Sequence, residues 1–158
     1  MKFFDDFKIG ERREFGTYVF NADDIKRFAR DFDPQPFHID EEAAKKSHFG
    51  ALVASGWHTT AACMRLIVDY NKRLAVEMIA RGEKPARIGP SPGFKNLKWL
   101  KPIYAGDTIT FGSEVIEKRP SSSRPEWGVV RFLTSGANQK GEHVFEMENA
   151  AFIERHAA

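Results

Sequence analysis

The residues best suited to chemistry lie in the run Asp33-Pro34-Gln35-Pro36-Phe37-His38. A carboxylate and an imidazole can move protons near neutral pH when both are held in place and aimed at one point. The two prolines exclude a helix through this run, yet "NADDIKRFAR" before it and "DEEAAKK" after it both read as helical. The chain interrupts itself to present Asp33 and His38. A structural reading stays open beside the chemical one, in which Asp33 bonds the N–H groups of a turn and His38 caps the next helix. Two metal readings fail. Asp31, Asp33, Gln35 and Glu42 fall at positions one, three, five and twelve of a calcium-loop register, but Pro36 stands at the sixth, where the sharp turn needs glycine. No histidine pair has helical i, i+4 spacing, and Cys63 is the one cysteine, so zinc has no ligand set. Within the apolar run "TTAACMRLIV", Cys63 reads as a small buried hydrophobe in a reducing compartment.

The elements that must hold Asp33 and His38 follow from the flanking pattern. A strand near Glu14 to Phe20 leads to Asn21, a good helix cap, with Asp23 and Asp24 in the first turn where the helix dipole favours them. A short helix from about Asp40 to Lys46 follows His38, and the longest helical signal runs from about Trp57 to Ala80, between Gly56 and Gly82. In its first half Ala61, Ala62, Cys63, Met64, Leu66, Ile67 and Val68 leave almost no polar side, so protein is expected all round it. Its second half is amphipathic and should reach solvent or a subunit edge. After the "GPSPG" punctuation the signals turn to strand: "GFKNLKWLKP", then Ile109, Phe111 and Val115 on one parity, then "EWGVVRFLT". In the last strand Phe145, Met147, Ala151 and Ile153 alternate with Glu146, Glu148 and Glu154. The expected architecture is α+β, an antiparallel sheet wrapped around one long central helix, which is the hot-dog fold. A ferredoxin-like sandwich would need two comparable amphipathic helices, and the sequence has one.

The 158 residues fit a single domain spanning 1–158. A balance of 24 Lys+Arg against 22 Asp+Glu lacks the electrostatic footprint of a nucleic-acid binder. The charged amino terminus has no apolar signal region, and no window approaches the length of apolar chain that crosses a bilayer, so a cytoplasmic location without membrane contact is expected.

The stretch "DFDPQPFHIDEEAAKKSHFGALVASGW" resembles the (R)-specific enoyl-CoA hydratase, or MaoC-like dehydratase, family. The family signature, an Asp, a pair ending in Pro, one apolar residue and a His, with a Gly opening the central helix downstream, falls on Asp33 to His38 and on Gly56. "SPGFKNLKWLKPIYAGDTI" is similar to the family's later strand that runs into Pro-x-x-x-Gly-Asp. The resemblance implies reversible hydration of a 2-enoyl-CoA to an (R)-3-hydroxyacyl-CoA, with coenzyme A as part of the substrate and no separate cofactor or metal. Such chemistry needs a base for water at C3, an acid for C2, and donors for the thioester oxygen. Asp33 and His38 fill the first two needs as a dyad on one water. Gly56 fills the third, as a helix-start N–H with no side chain in the way.

Around this centre Phe37 and Trp57 are expected to line the acyl pocket and Ser55 to adjoin it. Lys98, with Lys95, Lys101 and Arg87, could draw the phosphates of coenzyme A, and Trp99 could cover its adenine, although an ordinary solvated strand face would look the same. His58 and His143 read as packing or surface residues. Gln35, Ser55 and Ala61 depart from residues common in the family, which leaves the acyl preference open. Two rival functions share the fold, an acyl-CoA thioesterase and a noncatalytic acyl-binding subunit. A homodimer, or a larger oligomer built from dimers, is expected because sheet edges need covering.

Overall fold

The computed structural model describes residues 1–157. A 3-10 turn at Phe4–Asp6 precedes strand β1 (Arg12–Val19), followed by helices α1 (Ala22–Phe32), α2 (Pro36–Ile39), α3 (Glu41–Lys46) and α4 (Gly56–Ala80). Strands β2 (Phe94–Trp99), β3 (Thr108–Pro120), β4 (Trp127–Asn138) and β5 (His143–Glu154) complete the chain. All strand pairs are antiparallel, in the order β1-β3-β4-β5-β2. This is the hot-dog arrangement expected from the sequence. The register shifts in every pairing, as a β-bulge shifts it. In β1 the bulge falls between Glu14 and Gly16, and Gly16 has φ +121°, a conformation a side chain resists.

Two apolar clusters hold the sheet. Phe15, Phe20, Ile109, Phe111, Phe145 and Met147 pack with Ala62 and Cys63 of α4, while Val115, Val130, Phe132 and Ile153 pack at the far end with Met1, Phe4 and Phe7. Burial pushes the Cys63 thiol up to about 12, in keeping with a packing role. Among the described residues no helix is long and apolar enough to cross a membrane.

Three expectations are corrected. Pro36 starts a helix instead of forbidding one: it occupies the first helical position, where its missing N–H costs nothing, so His38 lies within a single helical turn. Protein does not surround the first half of α4. His58, Thr59, Ala62 and Cys63 are buried, but Met64 is 48 % exposed and Val68 40 %, because the sheet of one chain reaches only one side of the helix. Glu154 does not point into water. It is buried, receives the Arg87 N–H at 2.8 Å, and lies 3.0 Å from the Arg87 guanidinium.

Candidate active site

Asp33 and His38 meet at the mouth of α4. Helix α1 begins at Asn21, whose side chain accepts the Asp24 N–H at 2.9 Å, and it ends at Asp33, whose N–H reaches Ala29 O at 2.8 Å. At φ −155° and ψ 69° Asp33 has left helical geometry, and the extended Gln35 leads into α2. This path brings His38 Nε2 to 3.4 Å from Asp33 Oδ2. The other ring nitrogen, Nδ1, lies 2.7 Å from Val53 O. A carbonyl only accepts, so Nδ1 carries a proton and Nε2 is the nitrogen that faces Asp33.

Asp33 itself is held ionised. Burial pushes its carboxyl up, but hydrogen bonds from the Ser55 hydroxyl and the Gln35 amide, with the nearby His38, outweigh this and lower it below the ordinary carboxylate range. The Gln35 bond is 2.8 Å long. Ser55 serves two elements at once, because its oxygen also accepts the Trp57 N–H at 3.2 Å and so caps α4. Gly56 N–H, next in line, has no acceptor among the described residues. The segment leading to it is fixed by main-chain bonds, Ala54 N to Ile103 O at 2.8 Å and Ala105 N to Leu52 O at 3.1 Å.

These groups border one cavity of about 560 Å³. Its polar corner is Asp33, Gln35, His38, Ser55 and Gly56, and its walls include Phe37, Phe49, Trp57, Trp99, Ile103 and Val144. Of the residues singled out in the sequence for the substrate, Arg87, Lys95 and Lys98 lie outside it, while Lys101 is on its lining. The Lys98 ammonium pairs with Glu146 across the strand at 3.1 Å, as Lys95 pairs with Glu148 and Lys101 with Glu142. These three lysines, each half exposed, are thus ion-paired at the surface. Trp99 lies over Gly56 instead of standing free for an adenine. His58 is a packing residue, stacked on Phe28. The sequence reading missed the carbonyl of Val53 and the wall formed by Phe49, Ile103 and Val144. A main-chain acceptor leaves no mark on residue type, and only the apolar character of the others hinted at burial.

An antiparallel sheet on one long helix, with a polar pocket at the helix mouth, defines a hot-dog protein. Residues 6–129 match the family model described as MaoC like domain, and the chain belongs to the MaoC-like dehydratase family. It is 34% identical over 151 residues to YdeM of Bacillus subtilis, itself described as uncharacterized, in an alignment covering 96% of this chain and 98% of that protein. The crystal structure of a MaoC-like dehydratase from Rhodospirillum rubrum is similar over 100% of both chains, with a TM-score of 0.83 and 35% identity. A stretch of 52 residues is 42% identical to mesaconyl-CoA hydratase of Cereibacter sphaeroides, covering 33% of this chain and 15% of that enzyme.

Proposed function

We propose that the protein is a hydro-lyase that adds water reversibly across the double bond of a 2-enoyl-CoA, giving an (R)-3-hydroxyacyl-CoA. The observation that carries this reading is the 3.4 Å approach of the Asp33 carboxylate to His38 Nε2, with Nδ1 engaged by the Val53 carbonyl. A water seated beside the pair can hydrogen-bond to both groups at once. The water oxygen adds to C3 while one proton passes to His38 Nε2, and Asp33 fixes the direction of the remaining lone pair. Asp33 then stabilises the imidazolium, which returns the proton to C2. Both new bonds arise on one face of the substrate. The free N–H of Gly56 receives the charge gathering on the thioester oxygen, helped by the positive end of α4. Support for the substrate class comes from the family and from the short match to a CoA-thioester hydratase.

The test is to incubate the protein with a panel of 2-enoyl-CoA thioesters, following loss of the conjugated absorbance and release of free thiol together. Asp33→Asn and His38→Gln should each lower kcat/KM by about 10² to 10⁴, the usual worth of a positioned acid–base group. Full activity in either variant refutes the dyad. Thiol release without hydration would point to a thioesterase instead.

A further inference from the structure

The Pro-x-x-x-Gly-Asp run, Pro102 to Asp107, supplies no group to the reaction above, yet it lies directly behind the carbonyl that holds His38. Val53 and Tyr104 form an isolated antiparallel bridge. The bonds that close it belong to their neighbours, Ala54 N to Ile103 O at 2.8 Å and Ala105 N to Leu52 O at 3.1 Å. Val53 and Tyr104 are therefore a non-hydrogen-bonded pair, and the main-chain groups of each point away from the other. On the Val53 side the N–H reaches Phe37 O at 3.4 Å and the carbonyl meets His38 Nδ1 at 2.7 Å. On the Tyr104 side both groups are taken by Asp107. Its carboxylate accepts the Tyr104 N–H at 2.8 Å, and its own N–H donates to Tyr104 O at 3.0 Å. Gly106, at φ +97°, lets the turn close this tightly. The turn is anchored in its turn: Phe20 exchanges main-chain bonds with Gly106 and Asp107 at 2.8 Å each, and the Gln139 amide donates to the free Asp107 oxygen at 2.7 Å.

We propose that Asp107 is a positioning residue for His38: by gripping Tyr104 on the far side of the bridge, it aims the Val53 carbonyl at Nδ1 and so keeps Nε2 the nitrogen that exchanges protons with substrate. The inference rests on the functional reading above, in which His38 Nε2 takes the proton from water. Free imidazole prefers its proton on Nε2, and the Asp33 carboxylate, 3.4 Å away, would draw it there. Only the Val53 carbonyl opposes this. A neutral ring protonated on Nε2 has no lone pair for the water, so a small swing of the bridge disarms the base without touching it.

The test follows the His38 ring by hydrogen–nitrogen correlation NMR on isotopically labelled protein, with kinetics on 2-butenoyl-CoA, in the wild type, Asp107→Ala and Asp107→Asn. With the ring neutral, the wild type should carry its proton on Nδ1. In Asp107→Ala the proton should move towards Nε2, and kcat should fall by about 10- to 100-fold, the scale of a small misplacement of a reacting group, with KM little changed. Asp107→Asn keeps an acceptor for the Tyr104 N–H and should restore both the Nδ1 proton and most of kcat. A proton that stays on Nδ1 in folded Asp107→Ala overturns the proposal whatever happens to the rate, as does an Asn variant that behaves like Ala. If Asp107→Ala does not fold, Gln139→Ala, which frees the outer oxygen of the same carboxylate, decides: a shift of the ring signals in the same direction supports the proposal, and unmoved signals overturn it. If the wild type hydrates no thioester, the hydratase reading falls, and the position of the ring proton across the same variants still decides whether Asp107 sets it.

Discussion

Acidification should destabilise this protein through His58, and one substitution should remove the effect. His58 is 5 % exposed, stacked on Phe28 with centroids 4.7 Å apart, and edge-on to Tyr18 and Phe20. Its Nδ1 is buried without a partner, and Nε2 meets the Tyr18 hydroxyl at 3.4 Å. Burial therefore lowers the imidazole from 6.5 to about 4, with Asp24 opposing and Arg27 assisting. Between these values the unfolded chain binds a proton that the folded chain refuses, so stability is full above the unfolded value and is lost as pH falls towards the folded one. At about pH 5 the shift corresponds to roughly 2 kcal/mol, and allowing for solvent screening leaves about 1 to 2 kcal/mol. The assay is urea unfolding followed by tryptophan fluorescence from about pH 7.5 down to about pH 5, for the wild type and for His58→Phe. Phenylalanine preserves the stack on Phe28 and cannot titrate. Subtracting the two curves cancels the other histidines and the carboxylates. A difference that stays flat over this range would refute the reasoning.

Ser55→Ala should have two separable effects. Loss of the cap should cost about 1 kcal/mol of stability, whereas Ser55→Gly should cost only a few tenths. In both variants Asp33 loses a donor and its carboxyl rises towards the ordinary range. A depressed carboxylate contributes stability above its unfolded value and loses it as pH falls through the folded one, so this contribution should shrink, and the acid limb of kcat/KM should move up in pH. An acid limb that stays in place in both variants removes Ser55 from the site. The exposed face of α4, with Trp57, Met64 and Val68, and the open edge of β2 lead us to propose a homodimer. Sedimentation equilibrium should give twice the chain mass, and a monomer at assay concentrations would remove the proposal.

What the sequence made legible was what local chemistry governs. Asn21 and Gly82 bracket α1 and α4 through capping and a positive φ, and the parity of Ile109, Phe111 and Val115 fits one buried sheet face. Asp33, His38 and Gly56 were readable because each residue type is tied to a place where the chain must leave or enter a helix. Contacts that depend on register were not readable. Lys95, Lys98 and Lys101 looked like an anion site until the pairing of β2 with β5 set glutamates beside the first two. The seat of Trp99 depends on a bulge, and the helical turn at Pro36 uses a residue that equally well marks a break.

The proton on His38 is fixed by the carbonyl of Val53, and that has an evolutionary consequence. A carbonyl oxygen is present whichever residue occupies position 53, so no point substitution there can delete it. Side chains around the acyl cavity can drift and sample new substrates, while the tautomer of the proposed base is inherited with the path of the backbone. Lineages descended from such a chain can diversify in what they accept before they lose the means to act on it.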